Sequence, residues 1–223
     1  MAQYEEFLNM ILPDYALLQA ANGSVDRDAF YLAHTVSDIE RLAAEGVTSN
    51  HIYANIHDLK ESQLRDVLGS CRLLAGSLEE LNLLDRIAQV KNDAGQLTTV
   101  GLRLVPTTYD SGQPGIREAE LPHLAQERRR LSALSMQGCF VQDCTKGLYG
   151  KDLGRYLRNC YELAKRMTVI LPCSMPYLGI VGAVGAVIRN AQEQPETLPE
   201  VQRAAEIVAM QNRTAFYARL LIT

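Results

Sequence analysis

The sequence predicts an α/β protein built as a (β/α)8 TIM-type barrel, and three observations predict it. First, short β-branched or aromatic runs (FYLAHT, HIYANIHD, RLLAGS, TTVGLRLVP, MQGCFVQDC) alternate with amphipathic helical patterns between Phe30 and Cys144. That is the order of successive βα units on a parallel sheet. Second, runs such as Val100–Val105 and Val169–Leu171 are apolar almost throughout, as suits strands buried on both faces. Third, strand starts near residues 30, 51, 72, 99, 136 and 168 give six units, and the N-terminus and Leu178–Ile188 are candidates for the two that would complete eight. An open doubly wound sheet shows the same local alternation, because both architectures stack right-handed βαβ units.

Taken in order, residues 1–28 are the least readable. Tyr4–Leu12 reads as a short helix broken by Pro13-Asp14, and Asn22-Gly23-Ser24 reads as a turn. From Phe30 the phase is clear. Thr35-x-x-Asp38 and Ser77-x-x-Glu80 both match the capping box, in which a hydroxyl and a carboxylate satisfy the open amides of a helix start. The helix after Ser77 carries Leu78, Leu81, Leu84, Ile87 and Ala88. The one after Lys151 carries Leu153, Tyr156, Leu157, Cys160, Leu163, Ala164 and Met167. Three-and-four spacing turns one face of each onto the sheet. Gln192–Pro199 reads as a linker, and Glu200–Leu221 as a closing helix packed on the barrel.

The chain has 223 residues, 47% of them hydrophobic, enough for one barrel domain over 1–223. A net charge of -4 and a pI near 5.6 argue against a nucleic-acid partner, which needs clustered Lys and Arg. The run Arg128-Arg129-Arg130 has Glu118, Glu120 and Glu127 for neighbours and reads as a solvated helix face. The acidic start MAQYEEFLNM lacks the profile of a signal peptide, and the apolar run Tyr177–Ile188 is shorter than the roughly 18 residues a bilayer requires. A cytoplasmic protein with no membrane partner is therefore expected. Five cysteines in no CxxC spacing read as reduced core residues. His51 and His57 are wrongly spaced for two ligands on one helix face, so no metal is expected. No GxSxG, GxGxxG or Walker loop is present.

Read in sequence, Phe30–Ile116 resembles the N-terminal barrel of the alanine racemase and basic amino-acid decarboxylase group, the fold-type III pyridoxal phosphate enzymes. FYLAHTVSDIERLAAEGV resembles that group's second strand, cap and helix; IYAN resembles its third strand; SLEELNLLDRIA resembles the helix after its fourth. VGLRLVP followed by SGQPGI resembles its arginine-bearing strand and small-residue loop, and LSMQGCFVQDC its sixth strand, entered through a glycine. The resemblance covers about half the chain, and Arg103–Ile116 is its most specific piece. In length the chain is similar to the single-domain pyridoxal phosphate homeostasis proteins of that superfamily.

The resemblance implies pyridoxal phosphate as cofactor, held by a lysine on the first strand in a Tyr-Ala-x-Lys-Ala context, and it implies a homodimer. Here Tyr15-Ala16-Leu17-Leu18-Gln19-Ala20 puts Leu18 at the lysine's place, and the short spacing to FYLAH implies a reduced first βα unit. Gln142 or Val141 takes the place of the decarboxylases' ring-packing histidine, and Gly179, Gly182 and Gly185 suit close packing as well as a phosphate loop. An internal aldimine needs an amine in a desolvated pocket. Of Lys60, Lys91, Lys146, Lys151 and Lys165, only Lys146, just past the sixth strand, is expected at the barrel mouth.

Barrel sites gather at the C-terminal ends of strands, which nominates His34, Asn55, His57, Ser77, Arg103, Gln142, Asp143 and Lys146. Lys146, His34 and Asp143 are the catalytic candidates, and Arg103, Asn55, Gln142 and Ser77 the ligand-binding ones. Arg103 is the strongest, because a guanidinium inside a buried strand must find an acceptor; a structural salt bridge is the equal alternative. Ser77 and Thr35 also have roles as caps. Three functions follow as expectations. One is a degenerate barrel without Schiff-base catalysis that acts as a ligand-binding or interaction protein. Another is a pyridoxal phosphate protein using a displaced lysine such as Lys146. The third is a cofactor-free enzyme acting on a small anionic metabolite through Arg103 and Asp143.

Overall fold

The computed structural model describes residues 11–12, 25–28, 31–93, 95–106, 114–141, 150–170, 177–180, 196 and 217–221. Its elements are β1 (Ile11–Leu12), β2 (Tyr31–Ala33), α1 (Val36–Ala44), β3 (Ile52–Asn55), α2 (Glu61–Val67), β4 (Arg72–Ala75), α3 (Leu78–Lys91), β5 (Thr98–Val105), β6 (Ile116–Arg117), α4 (Leu121–Glu127), β7 (Leu134–Val141), α5 (Gly150–Ile170), β8 (Tyr177–Ile180) and β9 (Tyr217–Leu221). Every described pairing is parallel. The strand order is β1-β9-β8-β7-β5-β4-β3-β2, with short β6 beside β5. From β2 to β9 the strands lie side by side in chain order, with β6 beside β5, and β1 pairs with β9, Ile11 opposite Leu220. A doubly wound sheet reverses its strand order at a switch point. Here the order never reverses and the chain's two ends meet, which is the topology of a (β/α)8 barrel.

The caps read from the sequence form. Thr35 Oγ1 accepts from Asp38 N at 3.2 Å while Asp38 Oδ2 accepts from Thr35 N at 3.0 Å. Ser77 Oγ accepts from Glu80 N at 3.1 Å, but the Glu80 carboxylate reaches one residue further back, to Gly76 N at 2.7 Å. α3 is tied to the sheet by Asp85, a buried carboxylate that accepts from Ala133 N at 2.8 Å and from Gln89 Nε2 at 2.6 Å. Cys71 is a free, buried thiol, pushed up to about 12 by burial, as a core cysteine should be.

Register and the two-residue alternation of strands sort the sheet into two faces. Tyr31, Ala33, Ile52, Ala54, Leu73, Ala75, Val100, Leu102 and Leu104 join the core between sheet and helices. Leu32, Tyr53, Leu74 and Phe140 form a separate inner cluster. Gly101 is the inner-face residue of β5, in register with Leu74, and a Cβ there would lie 2.6 Å from both Leu74 Cδ2 and Phe140 Cε2. Opposite Gly101 the ladder shifts by one, from Val100↔Met136 to Leu102↔Cys139. Gly138, at φ +92°, supplies the conformation such a bulge needs, so Phe140 turns inward beside Arg103.

Three expectations from the sequence are corrected. No strand begins at 168: Val169 and Ile170 end α5, whose buried Tyr156, Leu163 and Met167 continue the helical spacing until Pro172 approaches, so periodicity overrides a β-branched pair. The strand comes instead at Tyr177–Ile180, overlapping the start of the Leu178–Ile188 candidate. The last turn of the expected C-terminal helix is a strand, because Tyr217–Leu221 lies between β8 and β1 and supplies ladder bonds to both. Ile11–Leu12, expected to end a short helix, is the strand on its other side.

Candidate functional site

The C-terminal ends of β2, β3 and β5 meet above the inner cluster, whose Tyr53 and Phe140 rings sit 4.9 Å apart. Asn55, two residues beyond Tyr53 on the inner face, is buried. After it the chain makes a 3-10 turn, Ile56–Asp58, anchored by the buried Ile56 side chain and closed by Leu59 N to Ile56 O at 3.1 Å. The turn folds His57 and Asp58 back over the strand end.

Asp58 is the hub of the mouth. Its Oδ2 accepts from Asn55 Nδ2 at 3.0 Å and lies 3.3 Å from His34 Nδ1, while its Oδ1 lies 2.9 Å from His57 Nε2. Arg103, only 4% exposed, places Nη1 2.9 Å from His57 Nδ1 and 3.3 Å from Nε2. Both ring nitrogens lie within 3.3 Å of that one Nη1 atom, which places the guanidinium over the face of the imidazole, while Asp58 Oδ1 faces Nε2. Burial, then the Arg103 charge, hold the His57 pKa below its ordinary value against the pull of Asp58. Burial also lowers the Arg103 pKa, while the Asp58 and Glu80 carboxylates raise it. Glu80 is shifted up by burial, against the Gly76 amide and Arg103.

The structure thus brings four of the nominated residues together: His34, Asn55, His57 and Arg103. Ser77 caps α3. Gln142, Asp143 and Lys146 lie outside the described residues, as does Leu18. Two members of the cluster, Asp58 and Glu80, were not singled out by the sequence reading. Asp58 had a signal: in IYANIHD it follows the strand end by three residues, one turn's reach from Asn55. Glu80 was read only as half of a cap.

No family model matches the sequence, and no curated protein matches it. Solved structures do. The chain is similar to the arginine decarboxylase of Paramecium bursaria Chlorella virus (14% identity, TM-score 0.66, covering 99% of this chain and 60% of that one). It is similar to the lysine/ornithine decarboxylase of Vibrio vulnificus complexed with putrescine (12%, 0.64, 99% and 60%). It is similar also to the diaminopimelate decarboxylase of Helicobacter pylori complexed with L-lysine (12%, 0.67, 99% and 59%). The fold is that of the alanine racemase and basic amino-acid decarboxylase barrels. At these identities the likeness is one of fold, and the chain spans about three-fifths of the structures it matches.

A Schiff-base cofactor asks the mouth for an amine, and the described residues do not fit that demand. The first lysine in the chain is Lys60, so nothing in β1 or β2 can supply one, whatever the alignment of the first strand. Lys60 and Lys151 are exposed, whereas a Schiff-base amine is held in a desolvated pocket. Lys91 ends α3 and donates to the Arg65 carbonyl. Lys165 falls in α5, near its C-terminal end. Among the described residues no group of three His, Cys, Asp or Glu is arranged to hold a metal ion, and no helix is long and apolar enough to cross a membrane.

Proposed function

We propose that this chain is a degenerate member of the decarboxylase-type barrel, which binds a ligand at its C-terminal mouth without Schiff-base catalysis. The observation that carries the reading is the composition of that mouth: β2, β3 and β5 present His34, Asn55, His57, Asp58 and Arg103 to one another, and among the described residues no lysine joins them. A network in which an imidazole lies between a carboxylate and a guanidinium positions polar groups without offering a nucleophilic amine. Ligand recognition by hydrogen bonds suits such a mouth; covalent attachment of an aldehyde does not.

The second reading is a pyridoxal phosphate protein using Lys146, and one observation favours it. β7 ends at Val141, beside Leu104 and one residue past the Arg103–Phe140 pair, so the segment that carries Lys146 starts from the mouth. Absorption spectroscopy separates the two. Protein mixed with pyridoxal phosphate and freed of excess should be colourless on the first reading. A yellow protein bleached by Lys146→Ala would replace it with the second.

A further inference from the structure

We infer that His57, oriented by Asp58, is a proton-accepting base at the mouth, with Nδ1 presented to a small ligand that carries an acidic O–H or C–H group. The inference rests on the reading of the mouth as a ligand site and adds what that site does to the molecule it binds. Its basis is the edge of the imidazole ring. Asp58 Oδ1 lies 2.9 Å from Nε2, and a carboxylate only accepts, so Nε2 is the donor. In the neutral ring Nδ1 then holds a lone pair in the ring plane. Arg103 does not engage that lone pair, because its Nη1 lies over the ring face, 2.9 Å from Nδ1 and 3.3 Å from Nε2. Among the described residues no other group hydrogen-bonds the ring, and the side chain is 31% exposed.

The orientation of the ring is built from its surroundings. Buried Ile56 anchors the 3-10 turn, and Asn55 Nδ2 holds Asp58 Oδ2 at 3.0 Å, which leaves Oδ1 for the imidazole. The guanidinium stacked on the face sets the tilt of the ring. An imidazole held on one nitrogen by a carboxylate, with the other nitrogen open, is the arrangement of an oriented general base. The groups facing it are Arg103 from β5, Asp58 from its own turn and His34 from the end of β2. Burial, then Arg103, lower its pKa, so the lone pair is present at neutral pH. In the step itself the ligand's O–H or C–H bond breaks, the electron pair stays on the ligand and the proton goes to Nδ1. The imidazolium so formed keeps its Nε2–H on Asp58, whose charge stabilises it. No amine takes part.

Nitrogen-15 NMR of the whole chain reads the tautomer directly, and diethyl pyrocarbonate followed by peptide mass reads whether Nδ1 is open. The wild type should show the Nε2–H tautomer of His57 with a midpoint below its ordinary 6.5. At about pH 6, where more of this ring than of an unperturbed one is neutral, pyrocarbonate should modify His57 at least as fast as the exposed His123 of α4. Asp58→Asn removes a charge that raises the midpoint, so it should lower that of His57 and leave that of His123 in place. An Nδ1–H tautomer in the wild type, or a His57 still unmodified when His123 has fully reacted, overturns the inference with no variant required. A midpoint unmoved in Asp58→Asn overturns it as well. Failure of the ligand-site reading shows differently, as a bound, yellow pyridoxal phosphate in a separate sample, and leaves the tautomer and reactivity of the untreated protein as they were.

Discussion

The two faces of the sheet are built on opposite rules. The outer face is continuous and apolar: residues such as Leu73, Val100 and Leu102 meet Leu81, Leu84 and Ile87 of α3 within one core. Among the described residues the inner face has Leu32, Tyr53, Leu74 and Phe140 as an apolar layer, and immediately above it Asn55 and the buried Arg103 begin a polar mouth. One face excludes water wholesale, whereas the other carries charges that must be paired one by one. Stability therefore belongs mainly to the outer face and the proposed ligand site to the inner one, and perturbations should divide along that line.

The largest effect is expected outside. Leu84→Ala removes a fully buried side chain of α3 and should cost about 2–5 kcal/mol, read as a lower urea midpoint, with the mouth histidines' resonances unmoved. An intermediate effect is expected at the inner layer. Gly101→Ala puts a Cβ 2.6 Å from Leu74 and Phe140, an overpacking of about 1–3 kcal/mol, and because Phe140 lies one layer below the mouth this change should also shift the histidine resonances. The smallest stability effect is expected in the mouth itself and depends on pH. The folded pKa of His57 lies below its ordinary 6.5, so the unfolded chain binds the proton more readily. The stability contributed by the neutral ring is present above that unfolded value and is lost as pH falls below it. Between about pH 7 and pH 5, His57→Gln should lose less stability than the wild type. An equal loss in both would remove His57 from the titrating groups.

The same division explains what the sequence made legible. The outer face is written in periodicity, so the units from β2 to β5, the helix after Ser77 and both caps were readable from Leu, Val and Ile spacing and two short capping patterns. The ends were not, because their strands are decided by neighbours far away in sequence. Ile11–Leu12 and Tyr217–Leu221 are strands because they pair with each other across more than two hundred residues. Val169 and Ile170, β-branched as they are, follow the helix that precedes them. At the mouth, Arg103 was legible as a charge inside a strand, and His34 and Asn55 as polar residues at strand ends. Asp58 was not, since its part comes from a 3-10 turn that folds it back over Asn55. Nor was the bridge from Arg103 to His57, which joins residues 46 apart.

The central claim is that this barrel keeps the decarboxylase fold without a Schiff-base amine at its mouth. Reducing a mixture of the protein and pyridoxal phosphate with borohydride, then locating any adduct by peptide mass, tests it most directly. The account predicts no stoichiometric adduct at any one lysine, only scattered trace labelling of exposed amines such as Lys60 and Lys151. A single stoichiometric adduct, on Lys146 or elsewhere, would contradict it.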